Sequence, residues 1–426
     1  MYALAPFGLL ASGSALAAAC APGAYGTDAK DFVVIGSTPP PSGKGQRYTF
    51  LDGRRGGTEE TGSPVTCTDD TVTYVRADGR VSRWTRVPTR ETETHFDSAA
   101  TRLTGELIEP AGPVDPKRPL VVLVHGSERT RAMGAIYAHM LVMQGISVFA
   151  YDKRGTGASE GEYTQNFELL ADDAAAALKE ARRLAAGRFG RAGFFGGSQG
   201  GWIAPAAATR TQPGSVAADF VAVGFGLVVS PIDEDRAQLL DEARTARLDD
   251  AAIAQIERLS QATSRLMLSH FTEGFEDLDR VRREIGDAPW SRTIAGEYSG
   301  DMLRMSDADL RRIGRARFDN LEVIWDYDSR RVLQSLKVPL LWVLAGEDRE
   351  APIAETQAVL TRLQASGQPI DIYLFPLTDH GILEYHTNPD GSRTMTRMAD
   401  GYLRLLGDWI KGSVRGQYGR AQLLSR

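Results

Sequence analysis

Gly196-Gly197-Ser198-Gln199-Gly200 follows directly on the apolar run Ala192-Gly193-Phe194-Phe195. A serine on a tight strand-to-helix turn projects its hydroxyl away from the backbone, and neighbouring glycines remove side chains that would clash there. Gly201-Trp202-Ile203-Ala204 then opens a helical stretch, whose positive N-terminal end favours negative charge at a reacting centre. A glycine-rich turn with an incidental serine is the plain alternative, and the place between strand and helix favours the nucleophile. Such a nucleophile needs a base, and the base needs an orienting group. Asp379-His380-Gly381 follows the apolar run 370–375, and Leu344-Ala345-Gly346-Glu347-Asp348 ends another. In the chain order serine, acid, histidine, only His380 and His386 of six histidines follow Asp348, and His386 follows no strand directly. His380 is therefore the expected general base. Asp348 is the chosen orienting carboxylate, Glu347 and Glu350 are its competitors, and plain surface acids are the ordinary alternative.

The elements that must hold these groups can be read around them. Leu120-Val121-Val122-Leu123-Val124 is a continuous apolar run, as expected of a strand buried on both faces. Runs at 146–151, 192–195, 220–229, 340–345 and 370–375 repeat the pattern. Between several of them apolar residues recur at helical spacing: Leu170, Ala174, Ala177, Leu178, Ala181 and Leu184, then Val359, Leu360 and Leu363, then Met395 to Trp409 as a last amphipathic helix. Strand–helix alternation predicts an α/β fold: a mostly parallel sheet with helices on both faces.

With these motifs in this order the chain resembles the α/β-hydrolase fold serine hydrolases. The residues that carry the resemblance are His125-Gly126-Ser127, Tyr151-Asp152-Lys153-Arg154-Gly155-Thr156-Gly157, Gly196 to Gly200, Gly346-Glu347-Asp348 and Asp379-His380-Gly381. It is similar to secreted bacterial carboxylesterases and acyl hydrolases that share features with cap-bearing serine aminopeptidases. The resemblance covers about residues 103–412. It implies a triad of Ser198, Asp348 and His380, an oxyanion hole from the backbone N–H groups of Ser127 and Gln199, a structural His125, and no cofactor or metal. It also implies a small-molecule acyl ester as substrate. An amide or peptide bond at a free N-terminus is the runner-up and would require acids in the cap, of which Glu234, Asp235 and Glu242 are examples; a thioester is third. A non-catalytic envelope binding protein on the same fold is the rival of another class, disfavoured because all three triad residues are present.

Strand alternation breaks over 231–332, where the sequence is charged and helical, notably at 235–248, 251–269 and 278–285. An insertion of this length needs its own packing, and we read it as a helical cap. It leaves the sheet at the strand C-termini, where ligands bind in open parallel sheets. Trp290 and Trp325 are candidates to line an apolar acyl pocket. The core parts are thus expected at 103–230 and 333–412, with a C-terminal tail at 413–426. Residues 20–102 read as a small β-rich unit. It has a hairpin turn at Asp78-Gly79 and a proline-rich loop at Pro39-Pro40-Pro41, and holds no recognisable chemistry.

Residues 3–19 are small or apolar and end at Ala17-Ala18-Ala19-Cys20, the layout of a signal peptide, although Met1-Tyr2 carries no basic residue. The expected location is exported: periplasmic, envelope-anchored or secreted. Cys20 is a candidate for lipidation and membrane attachment; a disulfide with Cys67, the other of the two cysteines, is the alternative. Lys plus Arg is 49 and Asp plus Glu is 55, a net charge of −6 that disfavours nucleic acid as a partner. Gly155 to Gly161 approaches a dinucleotide fingerprint, but its third glycine is one residue late and no helix opens there; Gly43-Lys44-Gly45 lacks the Ser or Thr of a phosphate loop.

Overall fold

A computed structural model describes residues 20–37, 45–68, 70–129, 134–210 and 217–424. The expected signal segment, the proline-rich loop and the Gly43-Lys44 pair lie outside the described residues.

The apolar runs form a nine-stranded sheet. Its spatial order is Gln422–Leu424, Ile370–Phe375, Leu340–Ala345, Val221–Gly224, Ala192–Gly197, Leu120–Val124, Ser147–Tyr151, Thr101–Pro110 and Thr89–Ser98. The six inner strands are parallel, and the outer ones are antiparallel. Successive side chains point to opposite faces. Leu120, Val122 and Val124 therefore join one core with helices Phe167–Leu184, Gly200–Ala208 and Ala354–Ala365, while Val121 and Leu123 join the other with helices Gly134–Met143 and Tyr402–Ile410. Val124 pairs with Gly196 and Ala345 with Phe375, so the loops after these strands leave from one end of the sheet.

The cap begins at Ser230, whose hydroxyl accepts from the Asp233 N–H, with Pro231 opening the helix Pro231–Thr245. Helices Asp250–Leu268, Phe275–Ile285, Ser299–Arg304 and Asp307–Phe318 follow. They bury a separate cluster that includes Leu239, Ile256, Leu259, Leu266, Leu278, Met302 and Leu310.

At the N-terminus, Gly23–Asp28, Asp31–Ser37, Gln46–Phe50 and Arg55–Gly57 make one antiparallel sheet, and Val65–Thr68, Thr71–Val75 and Val81–Thr85 another. Gly79 takes φ +83° in the last hairpin. The unit docks on a hairpin that follows His380, Leu383–Thr387 with Arg393–Met398. The Met398 N–H donates to Gly53 O at 3.0 Å, and Arg55 Nε donates to Thr396 O at 3.3 Å.

Four expectations change. The strands Thr89–Ser98 and Thr101–Pro110 belong to the central sheet, so the core starts near residue 89 rather than 103. The first is an edge strand with a largely exposed polar face, which reads like part of the N-terminal unit. The expected tail from 413 is no loose tail over its described residues: Gln422–Leu424 closes the opposite edge, too short a segment to show periodicity. The last helix starts only at Tyr402, because Gly401 turns with φ +90° after the strand Arg393–Met398. Finally, Cys20 is disulfide-bonded to Cys67, with 5.7 Å between their Cα atoms. A sulfur in a disulfide has no valence left for a lipid thioether, so this pairing is the alternative to lipidation of Cys20.

Candidate active site

Ser198 sits where the strand Ala192–Gly197 turns into the helix Gly200–Ala208. Its φ is +53°, a left-handed conformation that costs a non-glycine residue energy and is held by the surrounding packing. The turn is tight enough that a Cβ on Gly196 would lie 2.5 Å from Gly200 O. The Ser198 N–H donates to Gly224 O at 3.1 Å.

His380 Nε2 lies 3.1 Å from Ser198 Oγ, and its Nδ1 lies 3.0 Å and 3.2 Å from the two Asp348 carboxylate oxygens. A carboxylate only accepts, so Nδ1 carries the hydrogen and Nε2 is left to accept from the serine. Asp348 is buried and further accepts the N–H groups of Glu350 and Ala351 at 3.1 Å and 2.7 Å. Its competitors sit elsewhere. Glu350 Oε1 is 3.5 Å from Nε2, on the serine side of the ring. Glu347 is engaged by Tyr385 and by Arg393. Burial works against the imidazolium. The hydrogen bond and charge of Asp348, with Glu350 and Asp379, outweigh it and hold the His380 pKa above its ordinary value.

Arg393 joins the two loops that carry acid and base. Its guanidinium donates to Asp379 Oδ2 at 2.7 Å, to Glu347 O at 2.6 Å and to Glu347 Oε2 at 3.1 Å. Asp379 Oδ1 accepts the N–H groups of His380 and Arg349.

The loop after Leu120–Val124 runs beside the serine: a Cβ on Gly126 would be 3.6 Å from Ser198 Cβ. Among the described residues, neither the Ser127 N–H nor the Gln199 N–H has a hydrogen-bond partner. His125 is buried edge-on to Tyr151, and burial holds its pKa well below the ordinary value.

The cap contributes acids. Burial, with the charges of Glu297, Glu350 and Asp348, raises the Glu234 pKa well above the ordinary carboxylate value. Gln238 bridges Glu297 and the Glu350 carbonyl. Asp235 and Glu242 instead bind the backbone at 295–299 and serve cap packing. The two tryptophans are not brought into this group. Trp325 donates to Asp319 at 2.9 Å and packs edge-on to Tyr298, and Trp290 packs on the cap core. Glu297, Arg393 and Lys153 were missed as site residues; Lys153 stood in a quoted motif, whereas the other two carry no local signal.

A mostly parallel sheet covered by helices on both faces, with serine, histidine and aspartate brought together beyond its strand ends, has the arrangement of an α/β-hydrolase fold. Residues 115–240 match the family described as serine aminopeptidase, S33. No curated protein sequence matches the chain. Among solved structures, an esterase of Pyrococcus furiosus is 14% identical, covering 69% of this chain and 85% of its own, with a TM-score of 0.40. The proline iminopeptidase of Mycobacterium smegmatis is 16% identical, covering 76% and 98%, with a TM-score of 0.40. An acylaminoacyl peptidase of Pyrococcus horikoshii is 15% identical, covering 79% and 48%, with a TM-score of 0.41.

Proposed function

We propose that the protein cleaves carboxylic esters through an acyl-enzyme on Ser198. The observation that carries this reading is the continuous hydrogen-bond chain from Asp348 through His380 to Ser198 Oγ. His380 takes the Ser198 proton as Oγ attacks the carbonyl carbon, and Asp348 holds the required tautomer. The Ser127 and Gln199 N–H groups bind the oxyanion, each contributing about 3 kcal/mol by comparison with another hydrolase. His380 returns the proton to the leaving group, then activates the water that cleaves the acyl-enzyme.

Glu350, 3.5 Å from His380, and the acids that act on it favour a second reading, an aminoacyl bond at a free amino group. Glu234, Glu297 and Glu350 repel one another in a partly dry site, and a substrate ammonium would relieve that repulsion. A panel of p-nitrophenyl esters of rising chain length beside aminoacyl anilides separates the two. Faster turnover of simple esters supports the first. Turnover confined to substrates with a free α-amine, and lost on Glu234→Gln, replaces it with the second.

We further infer export, supported by residues 3–19 and by a disulfide suited to an oxidising compartment. The N-terminal residue of native protein, read by mass spectrometry, tests this: intact Met1 would refute it.

A further inference from the structure

Lys153 is 1% exposed, and lysine is almost never buried without a specific partner. No carboxylate lies within ion-pair distance of its ammonium among the described residues. Glu128 acts on it through charge and the Tyr163 ring lies 5.2 Å away, but its hydrogen bonds go to two uncharged oxygens: Nζ donates to Gly126 O at 2.6 Å and to Gln199 Oε1 at 3.4 Å. These belong to the two segments whose N–H groups flank Ser198. Gly126 O and the Ser127 N–H share one peptide plane and point in opposite directions, because the unit is planar and trans. Fixing the carbonyl therefore fixes the direction of the N–H. The next carbonyl in the loop is fixed as well, since Tyr163 Oη donates to Ser127 O at 2.7 Å.

The loop bearing Lys153 is itself anchored. Asp152 Oδ2 accepts the Ala158 N–H at 2.8 Å. Arg154 forms a buried two-point pair with Asp173 at 2.6 Å and 2.8 Å. The lysine thus reaches from a rigid base to both sides of the reacting centre.

We propose that Lys153 is a positioning residue for the oxyanion hole, holding the Gly126–Ser127 peptide and Gln199 so that the Ser127 and Gln199 N–H groups converge beside Ser198. This rests on the catalytic reading above. A buried lysine that only filled space would be replaceable by methionine, which has similar length and no donor.

Lys153→Met, with folding checked by circular dichroism and melting, should lose about 10- to 100-fold in kcat on a p-nitrophenyl ester, less than outright removal of a donor. KM should stay within about twofold, because the interaction matters once the oxyanion forms. Affinity for a boronic acid that mimics the tetrahedral intermediate should fall by the same factor as kcat/KM. Lys153→Arg, which keeps the donors, should recover part of that loss. Should the methionine variant not fold, Lys153→Gln, too short to span both oxygens, is read the same way. Wild-type kcat and boronate affinity in a folded Met or Gln variant would overturn the proposal. Ser198→Ala is assayed in parallel: if it keeps activity, the catalytic reading fails; if it is inactive while Lys153→Met is normal, only the role of Lys153 fails.

Discussion

At the scale of single residues, the environment of His380 sets a pH profile. The base must be neutral to accept the Ser198 proton, and its folded pKa is raised, so activity should fall as acid protonates it, with a midpoint above the ordinary value of about 6.5. Asp348→Asn removes the largest source of that upward shift. The midpoint in a kcat/KM profile should then move down, while kcat drops by up to about 10⁴-fold through the wrong tautomer. A midpoint that stays in place would return the orienting role to Glu347 or Glu350. That these three residues would come together was legible because serine, acid and histidine each stand at the end of an apolar run. Choosing Asp348 over its neighbours was a matter of which carboxylate faces Nδ1, and that depends on the turn at 346–351. Arg393 and Glu297 were illegible for a different reason. Each acts on the site only through packing of distant segments, so no local pattern marks them.

Among the elements, the hairpin after His380 matters most. Arg393 and Asp379 form a pair with side chains 9% and 5% exposed, close to the junction of the acid and base loops. Removing one partner from such a pair costs about 3–5 kcal/mol, because the other is left buried and charged. Arg393→Met should therefore lower the free energy of unfolding by that amount, read from a denaturant titration, and also reduce kcat, while Arg393→Met with Asp379→Asn should regain stability. Equal stability of wild type and the single variant would contradict the role of this clamp. For the cap, the first three helices fall within a few residues of their expected places, but the expected end at 332 lies inside the helix Ser329–Ser335, whose Leu333 packs in the core of the sheet. The pocket did not follow. Aromatic content alone cannot say which cavity a side chain lines: Trp325, fastened to Asp319 and Tyr298, lines one with Leu268, His270 and Val323 whose lining includes none of Ser198, Asp348 and His380. Trp325→Ala should lower stability by about 2 kcal/mol or more without reordering preference across the ester panel. A changed chain-length order would restore its place in the pocket.

For the whole molecule, the N-terminal unit is tied to the catalytic end through the hairpin 383–398 and stapled by Cys20–Cys67. The bridge spans 47 residues, a loop whose closure is worth up to about 4 kcal/mol in the chain-entropy estimate. Cys67→Ser should destabilise this unit by up to that amount in a melt monitored by tryptophan fluorescence, Trp84 lying in its core. An unchanged melt would mean the bridge is dispensable. The sheet itself was legible where strands are continuous apolar runs. Its edges were not: Thr89–Ser98 is mostly polar and exposed, and Gln422–Leu424 is only three residues long and pairs with a strand far back in the chain. The claim on which all of this depends is that Ser198 is an activated nucleophile, and reaction with a fluorophosphonate followed by intact-mass and peptide mapping measures it most directly. A single adduct on Ser198, absent from Ser198→Ala and strongly slowed in His380→Ala, is the expected result. Folded wild-type protein that stays unlabelled, or carries the label on another residue, would contradict it.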